Sequence, residues 1–106
     1  NDIKYDKIFT EQIENHISIG DCLIVMSCSG NSKNIVDVVK FAKKKQLYVI
    51  SLTGFKKNNF VKKYSNLNLN VGIKNYGICE DVFQIVMHMM SQCIRSKFKK
   101  KISEIL

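Results

Sequence analysis

The sequence predicts an α/β fold, a three-layer α-β-α sandwich built on a parallel sheet. Two observations carry that expectation. Short apolar runs bounded by turn signals, over residues 22–27, 47–52 and 67–71, read as strands. Stretches with apolar residues at helical spacing lie before, between and after them, so the order is helix, strand, helix, strand, short helix, strand, helix. Strands alternating with helices pair in parallel and carry helices on both faces. A sheet of three strands is a small layer, and the expectation is that further sequence or a tight oligomer completes it.

Residues 1–5 form a lead-in, with Asp2 as a loop, cap or site-lining residue. A helix follows over 6–17, with Tyr5, Phe9, Ile13 and His16 or Ile17 on one side. His16 falls near its C-terminus, where histidine is a surface or capping group. Residues 18–21 are a turn into the first strand, 22–27. The helix over 32–45 places Ile35, Val38, Val39 and Ala42 on one face and Lys33, Lys40, Lys43, Lys44 and Lys45 outward. Three of those lysines close its last turn, the end that favours cations. Gln46 starts the second strand, 47–52, which ends at Thr53-Gly54. A short helix over 58–64 holds Phe60 and Val61 inward. In the third strand Leu67, Leu69 and Val71 alternate with Asn68 and Asn70, which gives it a wetter face and a place near the sheet edge. After a loop at 72–77 a long helix runs from Ile78 into the low hundreds. Its apolar surface, Val82, Ile85, Val86, Met89, Met90, Cys93 and Ile94, exceeds what one small sheet face needs, so part of it reads as an intersubunit face.

The first loop holds the chemistry. Ser27-Cys28-Ser29-Gly30-Asn31-Ser32 runs from a strand directly into a helix. The first turn of a helix has N–H groups without intrahelical partners, and its dipole favours negative charge. Ser27, Ser29 and Ser32 add hydroxyls, and Gly30 permits a positive φ. The residues leave two readings open, an anion site and an ordinary turn capped by Ser32. The loop lacks the lysine of a P-loop, and neither GxGxxG nor GxSxG occurs. In the last helix Glu80, Gln84 and His88 are spaced by four and share a face. There Glu80 suits a base and His88 a proton donor or orienter. The bland alternatives are helix-end compensation for Glu80 and Asp81 and a satisfied core or interface histidine for His88.

Composition narrows the partners. The 106 residues carry a net charge of +8, in lysine runs with a single arginine, Arg95. The aromatics are not interleaved with those lysines, so solvation and helix-end compensation outweigh nucleic-acid binding. No apolar run approaches the ~18 residues of a membrane span, and no signal peptide is visible. Cys22, Cys28, Cys79 and Cys93 show no metal-finger spacing, and no metal or cofactor is expected. Cys22 and Cys93 read as small core residues, and the setting is a reducing cytoplasm. The chain starts at Asn1-Asp2 without methionine, as a fragment or processed piece would.

The segments NDIKYDKIFTEQ, GDCLIVMSCSGNSKNIV, YVISLTG and NYGICED, in this order, resemble the sugar isomerase (SIS) domain family, especially its phosphoheptose isomerase branch. The resemblance covers nearly the whole chain and implies that 1–106 is the C-terminal portion of a single SIS domain. It implies a phosphorylated sugar as partner, with Ser27, Cys28, Ser29, Asn31 and Ser32 at its phosphate and Asp2 and Thr53 near the sugar. Cys28 stands where threonine is common. With the excess apolar surface and the reduced cysteines, the expected state is a cytoplasmic homodimer or homotetramer. Aligned without gaps, Glu80 falls on an aspartate of those isomerases, Phe83 on a pocket glutamine and Ser91 on a catalytic histidine; their catalytic glutamate would precede this chain. The expected function is aldose–ketose isomerisation of a sedoheptulose 7-phosphate-like sugar through an enediol, with Glu80 and His88 as the catalytic candidates. The alternative is a non-catalytic phosphosugar-binding or sensing domain.

Overall fold

The computed structural model describes Thr10, Glu14, Ser18 and residues 20–105, with the backbone alone over 98–105. Within the helix expected over 6–17, Thr10 and Glu14 are helical; Asp2 and His16 lie outside the described residues. The elements that follow are β1 (Cys22–Ser27), α1 (Lys33–Lys44), β2 (Tyr48–Thr53), α2 (Phe60–Lys63), β3 (Leu67–Asn70) and α3 (Tyr76–Ile105). The described strands form one parallel sheet in the order β1-β2-β3. Cys22 sits opposite Tyr48 and Ser27 opposite Thr53, while Ile50 pairs with Leu67 and Thr53 with Asn70.

Alternation along the strands sends successive side chains to opposite faces, and different helices cover the two faces. On one face Leu23, Val25 and Val49 pack with Val36, Val38, Val39 and Ala42 of α1, Val61 of α2 and the intervening Leu47. On the other, Leu52 packs with Cys79 and Phe83 of α3. The result is the expected helix–sheet–helix sandwich. Val39, Val49 and Val61 are fully buried. Burying each such side chain is worth roughly 1.5 kcal/mol or more, so these valines anchor the α1 side.

Local chemistry sets the ends. Gln46 does not begin β2. It takes a left-handed turn at φ 61° that ends α1. Its N–H bonds Lys43 O at 3.0 Å and the Leu47 N–H bonds Ala42 O at 2.9 Å, a Schellman closure with a glutamine where glycine is usual. β2 therefore starts one residue later than the apolar run predicts. Asn59 caps α2 by accepting the Lys62 N–H at 2.8 Å. Asn75 Oδ1 accepts the Ile78 N–H at 3.0 Å, so α3 starts at Tyr76 rather than Ile78.

Four expectations are corrected. Asn68 and Asn70 form the inward face of β3, while Leu67 and Leu69 remain 55% and 43% exposed. The reason lies in β2, which buries Ser51 and Thr53 on that face. Asn68 donates to Ser51 Oγ at 2.8 Å and Asn70 to Thr53 Oγ1 at 2.8 Å, so the asparagines satisfy hydroxyls that could not be buried alone. Phe60 is exposed and Val61 alone of that pair is buried. Cys22 and Cys93 are both exposed, since nothing among the described residues covers the start of β1 or the middle of α3. Glu80 and Asp81 fall in the second turn of α3, because that helix begins two residues early.

The α3 side of the sheet is only partly covered. Met26, Tyr48, Leu67 and Leu69 on the strands, and Ile85, Met89 and Ile94 on α3, are each more than 40% exposed.

Candidate functional site

The loop at 28–32 leaves the carboxyl end of β1 and is tied down from below. Ser27 Oγ accepts the Gly30 N–H at 3.0 Å, and Gly30 turns at φ 70°. A Cβ on Gly30 would collide with the Asn59 side chain, so only glycine fits against the cap of α2. Gly30 O accepts the Val61 N–H at 2.9 Å and Asn31 Oδ1 accepts the Phe60 N–H at 3.0 Å. The loop thus hangs on the first turn of α2, and this fixes the direction in which its upper side faces.

On that upper side two hydroxyls stand together. Ser29 Oγ accepts the Asn31 N–H at 3.1 Å and lies 3.4 Å from Ser32 Oγ. Ser32 holds the N-cap position of α1, but its side chain makes no capping bond. The hydroxyl that would satisfy the helix is turned toward Ser29 instead. An oxyanion set against this pair meets two O–H donors and the positive end of α1.

The opposite wall is the start of α3. Met26, Ser27, Cys28, Ser29, Ser32, Asn34 and Ile35 line one side of an open cleft of about 650 Å³, and Tyr76, Glu80, Asp81, Phe83 and Gln84 line the other. That volume lies in the ordinary range for small-ligand sites, and the cleft sits at the carboxyl ends of parallel strands, where such folds bind ligands. The Tyr76 ring packs edge-on against Phe55, centroids 4.8 Å apart, at the rim. Burial pushes the Cys28 thiol above its ordinary pKa, and the nearby Cys79 and Glu80 add to the rise. Beyond the first turn of α3, Glu80 and Asp81 gain little from the helix dipole, so helix-end compensation is a poor account of them.

Of the residues expected at the site, Ser27, Cys28, Ser29, Ser32 and Glu80 line the cleft. Asn31 supports the loop from below. Thr53 is fully buried on the far side of β2, its hydroxyl accepting from Asn59, Asn68 and Asn70 at 2.8–3.3 Å, and it does not line the cleft. His88 is exposed on α3 and also stands outside the cleft. Asp2 lies outside the described residues. Sequence reasoning missed Tyr76 and the role of Gln84. Tyr76, Glu80 and Gln84 are spaced by four, and extending the helix by two residues would have revealed the row. Phe83, on which a pocket glutamine aligns without gaps, is buried and lines the cleft beside the exposed Gln84. Among the described residues no group of three or more His, Cys, Asp or Glu side chains is placed to hold a metal ion.

A parallel sheet with a polar loop opening onto a helix N-terminus defines an α/β domain with a candidate anion site at its strand ends. The SIS domain model matches residues 1–54, half of the chain, and the chain belongs to the SIS domain family. Within it the chain falls in the phosphoheptose isomerase-like branch. It is 34% identical over 98 residues to a probable phosphoheptose isomerase of Thermoplasma acidophilum, covering 92% of this chain and 53% of that protein. It is 32% identical over 99 residues to the phosphoheptose isomerase of Campylobacter concisus, covering 93% and 52% respectively. The solved phosphoheptose isomerase of Neisseria gonorrhoeae superposes with a TM-score of 0.81 at 30% identity, over 89% of this chain and 53% of that one. The chain therefore spans about half the length of these relatives.

Proposed function

We propose that the cleft binds a phosphorylated sugar and that the complete protein interconverts its aldose and ketose forms. Ser29, Ser32 and the first turn of α1 hold the phosphate, Cys28 contributes its backbone, and Ser27 and Asn31 brace the loop. The sugar chain then runs toward α3, where Glu80 removes or returns the proton beside the carbonyl as the enediol forms. One observation carries this reading: Ser32 sits at an N-cap without capping, its hydroxyl paired with Ser29 and facing a carboxylate across a ligand-sized cleft. The similarity to phosphoheptose isomerases supports a sedoheptulose 7-phosphate-like substrate.

The same reading takes residues 1–106 as the C-terminal portion of a single SIS domain. The uncovered apolar surface on the strands and α3 supports cover by the rest of that domain and by a second copy, in a homodimer or homotetramer. Free cysteines support a reducing, cytoplasmic setting. No helix among the described residues is long and apolar enough to cross a membrane. On this reading nucleic acid is not the partner: no lysine among the described residues lines the cleft, and Lys40 and Lys63 pack over the Tyr64 ring at 5.5 and 5.8 Å.

A second reading, a phosphosugar sensor without turnover, is favoured by His88 standing outside the cleft, which leaves Glu80 without an imidazole acid in the cleft among the described residues. A coupled assay of the full-length protein on five- to seven-carbon sugar phosphates separates the two. The isomerase reading expects turnover that Glu80→Gln lowers by about 100-fold or more with little change in sugar-phosphate binding. Binding without turnover on any of the panel leaves the sensor, and no binding at all removes both.

A further inference from the structure

Two of the four thiols meet where the serine loop packs against the start of α3. Cys28, the first residue after β1, packs into the apolar cluster that Leu52, Cys79 and Phe83 form under the cleft. The Cys28 side chain packs against the cluster that holds Cys79, and the two thiols are close enough for Cys79 to disfavour the Cys28 thiolate. The Cys28 backbone is pinned, since its carbonyl accepts the N–H groups of both Gly54 and Phe55 at 2.9 Å. Cys79 is fully buried and donates to Ile73 O at 3.1 Å. Gly54 stands between them: a Cβ there would strike Cys79 Sγ and lie 3.1 Å from Cys28 O. The bare Cα of Gly54 is what lets the two chain segments close on each other.

The thiols differ in access. Cys28 lines the cleft and a small solute reaches it, whereas Cys79 is sealed behind it. Cys22 and Cys93 are remote from this pair along their elements. Cys22 begins a strand that Cys28 follows, a span of roughly 20 Å at ~3.3 Å per residue. Cys93 is about 21 Å along α3 from Cys79 at ~1.5 Å per residue.

We propose that Cys28 and Cys79 form a peroxide-oxidisable dithiol whose disulfide ties the serine loop to the first turns of α3. The step balances with hydrogen peroxide as oxidant. The Cys28 thiolate attacks one peroxide oxygen and the O–O bond breaks. The sulfur becomes a sulfenic acid, and the departing hydroxide takes up the thiol proton as water. Cys79 sulfur then attacks the sulfenic sulfur, the S–S bond forms, and the hydroxyl leaves with the Cys79 proton as a second water. Two thiols and one peroxide give one disulfide and two waters, the sulfur pair losing the two electrons that the oxygens gain. Cys28 reacts first because it is the accessible partner, and its raised pKa makes it a slow, high-dose responder rather than a hair-trigger one. Neither step involves the sugar, so the inference stands apart from the proposed function.

The test is peptide mapping of the full-length protein after hydrogen peroxide treatment and alkylation of the remaining thiols. The expected product is a Cys28–Cys79 cross-linked peptide pair that dithiothreitol removes. It persists in the Cys22→Ser, Cys93→Ser double variant and disappears in Cys28→Ser. Cys28→Ser keeps a small polar side chain at a partly exposed position and so remains folded where Cys79→Ser fails. Oxidation confined to Cys22 and Cys93, or Cys28 stopping at sulfenic or sulfinic acid without the cross-link, overturns the proposal.

Discussion

Replacing Ser32 by alanine separates the two roles that a serine before a helix can play. An N-cap serine that bonds its helix is worth about 1 kcal/mol, with a range of roughly 0.5–2 kcal/mol. In this chain the Ser32 side chain makes no such bond and lies 3.4 Å from Ser29 Oγ. Ser32→Ala should therefore cost less than about 0.5 kcal/mol in a urea melt of the full-length protein, below the usual loss for a capping serine. A hydroxyl that donates to a phosphate oxygen is a hydrogen bond to a charged group, worth about 1.5–3 kcal/mol. At ~1.4 kcal/mol per tenfold, that is a loss of roughly 10- to 150-fold in sugar-phosphate affinity. Isothermal titration with a sugar phosphate, beside the urea melt, reads both quantities on one preparation. The opposite pattern, a stability loss near 1 kcal/mol with affinity unchanged, would mean that Ser32 is an ordinary cap and the loop no anion site.

Gly54→Ala should destabilise by about 1–3 kcal/mol, because its methyl runs into Cys79 Sγ. Adding Cys79→Ala vacates that space, so the double variant should be more stable than the sum of the single losses by at least ~1 kcal/mol; losses that add to within ~0.5 kcal/mol in a denaturant cycle would refute the contact. Gln46→Gly should raise stability by about 1 kcal/mol, since glycine takes the left-handed φ of 61° without the Cβ penalty; a lower melting midpoint would count against the Schellman closure. Cys28 should alkylate with iodoacetamide along a pH profile whose midpoint lies above that of glutathione, because burial, Cys79 and Glu80 all disfavour its thiolate. The folded state holds that proton more tightly than the unfolded chain does. The stability this contributes is complete below the unfolded thiol's pKa and is lost as pH rises through the folded one. A midpoint at or below glutathione's would show that the thiol is not held in that cluster.

Much of the architecture was legible because its signals are local. The run 22–27 coincides with β1 because a short apolar segment between a glycine turn and a serine-glycine loop has few other conformations open to it. The 3.6-residue spacing in 35–42 identified the buried side of α1 for the same reason, although Val36 is buried as well. The serine loop was visible as a strand-to-helix turn, and its place at the carboxyl end of a parallel sheet follows from element order alone. Sequence spacing also put Glu80, Gln84 and His88 on one face of the last helix, and the first two of these line the cleft.

What the spacing left open was decided by neighbours far along the chain. Alternation in β3 identified two faces but not which one turns inward; Ser51 and Thr53, 17 residues before their asparagine donors, settled it by requiring hydrogen bonds. Thr53 has the same hydroxyl as a ligand-binding threonine, yet its strand register turns it toward Asn68 and Asn70 rather than the cleft. His88 shares a helix face with Glu80, but the cleft closes before reaching it. The contact between Cys28 and Cys79 joins residues that no periodicity relates, and it exists because Gly54 lets two segments approach. Sequence by itself determined the elements, their order and the polar loop, since backbone preference and side-chain period act over a few residues. Only the tertiary structure decided which face is covered, which hydroxyl is free and which thiols touch, because burial depends on what packs from elsewhere in the chain.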